Sequence, residues 1–349
     1  MYYDGTKLLS LKDINGGQPE IFILDGNRTS GKTTYFSRLL VNRFLKNASK
    51  FMLIYRYSNE MSEVCDKFFK DISGLFFKGY TMHSENMSKG LYQNLIIEHN
   101  ITGNTKHCGY AVALNSSDKL KRFSHLFSDT SSMFFDEFQL ETGKYLSDEI
   151  QKFISLHTTV ARGQGEMVRH VPVYMVSNAT SLLNPYYTHL GISKRLRADT
   201  SFLRGDGWVF EYNINRDAQQ SLQSSAFNRA FSGNRYIRMA SESIYLNDNT
   251  AFVKNMKGRS FYFATLRYNE KDFGLRQMSD TGLFYISHSV DSHCLNRWVV
   301  NTNELIDNYS LIHQRLNTYG MLRNYFQKGM FRFQDLECKE CALNMLAYH

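Results

Sequence analysis

No uninterrupted apolar run approaches the roughly 18 residues of a membrane-spanning helix, so the sequence offers no transmembrane candidate. The first residues, MYYDGTKLLSLKD, lack the long apolar stretch of a secretory signal. Cysteine is sparse. Five of them, an odd number, exclude a tidy disulfide framework and read as reduced thiols of a cytosolic protein. Cys338 and Cys341 are the one close pair; no second pair with ligand spacing exists, and i, i+3 spacing also fits one face of a C-terminal helix. Internal repeats and low-complexity tracts are absent as well.

What is present describes a folded globular protein of about two domains: 349 residues, 42% hydrophobic and 14% aromatic. The 22 Tyr and 26 Phe supply many flat side chains for cores, interfaces or base stacking, and core packing is their default use. Net charge is +8. Residues 1–205 carry 25 Lys/Arg against 19 Asp/Glu, and 206–349 carry 16 against 14, so the excess lies mostly in the first part. Such a balance favours a polyanionic partner, nucleic acid or anionic membrane.

That first part also holds the strongest motif. Residues Gly26, Asn27, Arg28, Thr29, Ser30, Gly31, Lys32 and Thr33 spell a phosphate-binding loop, with Thr34 continuing it into a helix. Ile21 to Leu24 reads as a buried strand in front of it, and Lys32 to Leu45 as a helix behind it. Gly26 and Gly31 let the backbone turn and present N–H groups to a polyphosphate. The helix N-terminus adds positive potential, Lys32 reaches the β/γ-phosphates, and the Thr33 hydroxyl suits Mg²⁺. A bound nucleoside triphosphate with Mg²⁺ is therefore expected.

Strand-like and helix-like segments then alternate: Phe51–Tyr55, a helix over Glu60–Phe69, a hairpin over Leu95–Leu114 turning at Thr102-Gly103-Asn104. Met133–Phe135 and Val171–Val176 follow as strands, with a helix over Leu146–Val160 between them. This predicts a parallel α/β sheet over residues 1–212. A polar, helical connector is expected over 213–244 and a smaller α+β domain over 245–349. In that domain Ser260–Tyr268 and Gly282–His288 read as strands and Thr302–Phe326 as a helix.

The apolar strand Met133–Phe135 delivers Asp136 and Glu137 at its end. Asp136 would partner Thr33 in holding Mg²⁺, and Glu137 would polarise the attacking water. Asn178, at the end of the next strand, can touch both γ-phosphate and water. Arg162 and Arg169 lie between those strands, where a guanidinium could serve a neighbouring subunit's nucleotide. Arg28 is unusual inside such a loop and could contact the γ-phosphate or a neighbouring carboxylate. Lys106, beside the hairpin turn, and Lys119, Lys121 and Arg122 are candidate nucleic-acid contacts; Lys194, Arg195, Arg197 and Arg204 form a second basic stretch.

Together these residues resemble the DNA-packaging ATPases of tailed phages, in the neighbourhood of terminase large subunits and FtsK/HerA ring motors. The pattern comes closest to the small packaging ATPase of Picovirinae-like podophages. It is carried by G-N-R-T-S-G-K-T, Asn42-Arg43-Phe44, Phe51 to Tyr57, Phe135-Asp136-Glu137-Phe138, Val176 to Tyr186 (V-S-N-A-T-S-L-L-N-P-Y) and Met330 to Phe333. The resemblance implies a P-loop NTPase of the ASCE, RecA-like class, with ATP as its triphosphate and a vestigial RNase H-like second domain. It also implies a double-stranded DNA translocase: a homomeric ring, pentameric by similarity, working on the portal of an empty capsid in the host cytoplasm with a packaging RNA. Arg162 matches the family's trans arginine finger. Active terminase nucleases cluster carboxylates around two metal ions, and the strand Phe261–Tyr268 has none, so no DNA cleavage is expected. A nuclease-active terminase and a non-catalytic, nucleotide-dependent assembly protein are the competing readings.

Overall fold

A computed structural model describes residues 3–140, 145, 146, 148–163, 168–182, 184–196, 200–231, 252–299 and 302–346, except for the side chains of Asp66, Lys194 and Ala218. Leu183, Arg197, residues 232–244 of the connector and the expected domain start at 245 lie outside the described residues.

The chain divides into two compact units, Met1–Pro185 with Leu196–Asn247, and Tyr186–Arg195 with Asp248–His349. The first is organised by β1 (Ile21–Gly26), β2 (Lys50–Tyr55), β3 (Tyr80–Met87), β4 (Tyr92–His99), β5 (Asn104–Ala113), β6 (Thr130–Asp136), β7 (Val173–Val176), β8 (Phe202–Gly205) and β9 (Trp208–Asn213). Their order across one nine-stranded sheet is β3-β4-β5-β2-β6-β7-β1-β9-β8. The strands from β5 to β9 in that order pair in parallel; β3-β4, β4-β5 and β8-β9 are antiparallel. Near-continuous apolar strands such as Phe51-Met52-Leu53-Ile54 are what a sheet covered on both faces requires. The expected hairpin is β4-β5; the edge strand β3 and the β8-β9 hairpin carry weaker apolar runs and were not foreseen.

The helix Lys32–Asn47 lies against this sheet through Phe36, Leu40, Val41 and Phe44, a stripe at helical spacing. The Phe36 ring centroid is 5.0 Å from that of Tyr174 on β7 and 6.2 Å from that of Phe134 on β6. These contacts fix the helix, and therefore the loop before it, against the strands that carry the other site residues.

The second unit contains β10 (Ser260–Tyr268), β11 (Lys271–Met278), β12 (Phe284–Ser287), β13 (Arg297–Val299), β14 (Ser310–Leu311) and β15 (Phe331–Phe333), ordered β14-β13-β10-β11-β12-β15. β10, β11 and β12 alternate in direction, whereas β13 runs parallel to β10, β14 to β13 and β15 to β12. This mixed sheet is the smaller α+β domain expected from the sequence. Only the second half of Thr302–Phe326 is an α-helix, Leu316–Gln327; the first half holds a 3₁₀ turn, β14 and another 3₁₀ turn. Tyr186–Arg195, placed with the first domain by sequence, groups with this unit. Its Thr188 hydroxyl donates to Glu340 on the C-terminal helix Leu336–Leu346.

Candidate nucleotide site

The phosphate loop sits at the carboxyl end of β1, beside the carboxyl ends of β7 and β6. β7 separates β1 from β6, so the loop and Asp136 face one another across the strand that leads into Asn178. Such a crevice outside the strand ends is where ligands bind in open α/β sheets. Gly31 opens the helix Lys32–Asn47 with φ of 85°, a left-handed turn suited to glycine. A Cβ on Gly26 would lie 1.9 Å from the Asn213 carbonyl oxygen on β9, so glycine there is a packing requirement of the sheet. Asn27 braces the loop from below: its Nδ2 donates to the Asn215 carbonyl (2.9 Å) and its Oδ1 accepts the Asn215 N–H (3.0 Å).

Lys32 is buried, and its Nζ donates to the Asn27 carbonyl (2.6 Å), Ser30 Oγ (3.2 Å) and Asn178 Oδ1 (3.3 Å). Burial lowers its pKa to about 8, against the opposing pull of Asp25 and Asp136, and the nearby Arg28 charge adds to the lowering. Thr33 Oγ1 donates to Asp136 Oδ1 at 3.1 Å. That pair of hard oxygens is the donor set that Mg²⁺ favours. The Asp136 carboxyl is pushed up to about 7, first by burial among surrounding side chains and then by the charge of Glu137. Its side chain is half-buried rather than sealed from solvent, and the protein packed around it makes desolvation the leading cause.

Glu137 is exposed and adopts φ of 53°, a left-handed conformation that is costly for a residue with a long side chain. The turn aims it away from the strand direction while its N–H donates to Asp136 Oδ1 (3.0 Å). Thr33, Asp136 and Glu137 line a cavity of about 430 Å³ together with Tyr55, Arg56 and Glu60. Thr29 and Thr34 lie on the loop and first helical turn; Thr29 has φ of 59° and its hydroxyl donates to the Arg28 carbonyl (2.7 Å).

Two residues absent from the sequence reading organise this site. Arg56, buried just beyond β2, donates through Nε and Nη2 to both Glu149 carboxylate oxygens at 2.9–3.1 Å and through Nη2 to the Phe138 carbonyl (2.7 Å). It therefore holds the turn behind Glu137. Gln139, also buried, donates to Asp25 Oδ2 (2.7 Å) and accepts from the backbone N–H groups of Thr180 (3.3 Å) and Ser181 (3.0 Å). It links the end of β1 to the segment that carries Asn178.

Other sequence candidates lie elsewhere. Arg162 caps the helix Glu149–Ala161 and is exposed. The adjoining Arg169 bonds the Thr130 carbonyl (3.0 Å), at the opposite end of β6 from Asp136. At about 3.3 Å per residue, Thr130 to Asp136 spans about 20 Å, so Arg162, beside Arg169, lies toward the far end of β6 from Asp136. Arg169 serves as a brace, donating also to the Val160 carbonyl (2.5 Å). Lys106 stands near the start of β5, whereas Lys119, Lys121 and Arg122 follow its end, so the basic candidates do not form one patch. All four are exposed, and Lys121 pairs with Asp118 at 2.9 Å.

This geometry has relatives. The DNA packaging protein of Bacillus phage phi29 is 25% identical over 349 residues, covering 99% of this chain and 97% of that protein. That of Bacillus phage PZA matches equally, 25% with the same coverage. In structure, the chain resembles one from the phi29 viral genome packaging motor assembly with a TM-score of 0.64, 23% identity, and coverage of 98% of this chain and 97% of that one. A chain of the Phi-28 gp11 DNA packaging motor gives 0.64 and 17%, covering 100% and 98%. The family model described as podovirus DNA encapsidation protein (Gp16) matches residues 1–348, and this chain, a phage DNA packaging protein, belongs to that family.

Proposed function

We propose that the chain is the ATP-hydrolysing motor that drives double-stranded DNA into a preformed capsid. The observation that carries this reading is the meeting of Thr33 and Asp136 at 3.1 Å beside the buried Lys32 amine. The backbone of residues 26–34, with Lys32, would receive the triphosphate, and Arg28 would add charge near its end. Thr33 and Asp136 would hold Mg²⁺, which when bound neutralises phosphate charge. Glu137 would take the proton of the attacking water, and Asn178, now bonded to Lys32, would sense whether the γ-phosphate is there.

Arg162 lies toward the far end of β6 from its own chain's Asp136. We read it as completing the site of a neighbour in a homomeric ring, five-membered by resemblance. Lys106, Lys119, Lys121 and Arg122 would grip the DNA backbone without reading sequence. A portal and a packaging RNA are the remaining partners we propose, with action at the portal vertex in the host cytoplasm. Among the described residues no helix is long and apolar enough to cross a membrane. No DNA cleavage is proposed: β10 carries no carboxylate, and the adjacent Asp272 is engaged by Arg267 (3.0 Å) and the Tyr309 hydroxyl (2.8 Å).

The test is phosphate release with and without DNA, for the native chain and Glu137→Gln. DNA-stimulated turnover that falls about 10²–10⁴-fold in the variant supports the base assignment. Turnover that survives removes Glu137 from that role, and no turnover in the native chain with DNA favours a nucleotide-dependent assembly protein. Metal-dependent nicking lost on changing Asp280 or Asp291 would restore the nuclease reading.

A further inference from the structure

Away from the nucleotide loop, the second unit gathers side chains that the packaging reaction does not use. β12 and β15 are parallel neighbours, and the residues just beyond their carboxyl ends meet. His288 follows β12; Asp335 follows β15 and precedes the helix Leu336–Leu346, whose first turn carries Glu337 and Cys338. His288 Nε2 lies 2.6 Å from Asp335 Oδ2, 3.7 Å from Cys338 Sγ and 3.8 Å from Glu337 Oε2. The histidine, aspartate and cysteine donor atoms all fall within 4.8 Å of one another.

We propose that His288, Asp335 and Cys338 form a binding site for a thiophilic divalent cation, zinc in particular, with Glu337 as a fourth donor. Tetrahedral zinc with bonds of about 2.0–2.3 Å holds its ligand atoms roughly 3.3–3.8 Å apart. The His288–Cys338 and His288–Glu337 separations already have that value. The His288–Asp335 contact is a hydrogen bond and would open by under about 1 Å to admit the ion. One nitrogen, one sulfur and carboxylate oxygens are a set that selects zinc over Mg²⁺.

The site is also built around its ligands. Gln334 Oε1 accepts the His288 N–H (3.0 Å), Gln334 N–H bonds the Ile286 carbonyl (2.9 Å), and the Phe273 ring stands 5.4 Å from the imidazole. The Cys338 N–H donates to Asp335 Oδ1 (3.0 Å), so the carboxylate caps the helix with one oxygen and faces the histidine with the other. Glu337 is anchored through its other oxygen, Oε1, by Lys271 Nζ (2.6 Å), which fixes the carboxylate beside the histidine and thiol. The other half of the cysteine pair takes no part: Cys341 is fully buried in the hydrophobic core of this unit.

The full-length chain, stripped with chelator, is titrated with zinc against a chromophoric indicator in excess Mg²⁺, and with cadmium while following the thiolate–metal ultraviolet band. One ion per chain and a cadmium band are expected. Cys338→Ser should abolish the band, and His288→Asn should weaken zinc at least about 10-fold, while Cys294→Ser, at the partly exposed free thiol, changes neither. Both site variants are checked for a native circular dichroism spectrum; should Cys338→Ser misfold, His288→Asn and Asp335→Asn carry the test. Absence of zinc binding by the native chain, or binding that Cys294→Ser removes and the site variants leave intact, overturns the proposal.

Discussion

Arg56 and Glu149 form a bidentate ion pair with both side chains almost wholly removed from solvent, 3% and 1% exposed. Arg56→Ala would strand the Glu149 carboxylate inside the protein, at a cost of about 3–5 kcal/mol. Denaturant unfolding of the full chain should show that loss in its first transition. Arg56→Lys keeps the charge and loses the two-pronged grip, and is expected to fall between the two. An Arg56→Ala midpoint equal to the native one would mean that the pair contributes nothing.

Asp136 gives a pH dependence with a definite sign. Its folded pKa, about 7, lies above the ordinary 3.8, so the folded chain keeps this proton longer than the unfolded one. Its contribution to stability is therefore greatest at low pH, falls as pH rises from about 4 to 7, and is level above that. A cation bound at Thr33 and Asp136 requires the ionised form. Mg²⁺-dependent nucleotide affinity should rise through pH 6–8, about 10-fold per unit below the pKa, and Asp136→Asn should flatten the curve. A native curve as flat as the variant's contradicts the assignment of Asp136.

Gln139→Leu would take from Asp25 its amide partner and from Thr180 and Ser181 their common acceptor. Each such loss inside the protein costs about 1–3 kcal/mol. Because the same bonds steady the segment around Asn178, phosphate release by the correctly folded variant should also slow. Gln139→Glu, which sets a second carboxylate against Asp25, should be worse than Gln139→Leu on both counts. An unchanged melting temperature in both variants would show that the link does not matter.

Basic residues are separable by salt titration. Each phosphate contact contributes about 0.9 to the slope of log affinity against log salt. Replacing Lys119, Lys121 and Arg122 together by Ala should reduce that slope by about 3, and Lys106→Ala by about 1. Lys106 lies near the start of β5 and the other three follow its end. If one group leaves the slope untouched, the DNA path follows only the other end of β5.

Gly26→Ala tests the sheet itself. The new methyl would overlap the Asn213 carbonyl at 1.9 Å, so β1 and β9 must part or the chain must fail to accumulate as soluble protein. Gly207→Ala, where nothing stands within 4 Å but φ is 72°, should cost only backbone strain of about 1 kcal/mol. Equal solubility and melting temperature for both variants would refute the packing explanation.

The loop, its strand and its helix were legible because a spaced motif and a periodic apolar stripe lie within one short stretch. Asp136 and Asn178 were legible for the same reason, each at the end of an apolar run. Arg56, Glu149 and Gln139 were not. Their meaning arises only when β2, β6 and β7 become neighbours, and a lone Arg or Gln after a strand carries no periodic signal. The His288–Asp335 meeting is equally remote, 47 positions apart and joined only by the pairing of β12 with β15. The Thr302–Phe326 pattern misled for a converse reason: apolar residues at helical intervals there also serve β14 and two 3₁₀ turns, so spacing alone did not distinguish them.

The excursion of Tyr186–Arg195 into the second unit has a consequence for the order of synthesis. Ile192 and Thr188 leave the ribosome long before Glu340 and the rest of Leu336–Leu346 against which they settle. This piece of the second unit must stay unsatisfied until residues 336–346 have been made, so that unit cannot close before then. A truncated chain lacking the final helix would leave Ile192 exposed as a hydrophobic lesion upstream of the truncation, visible to chaperones and proteases.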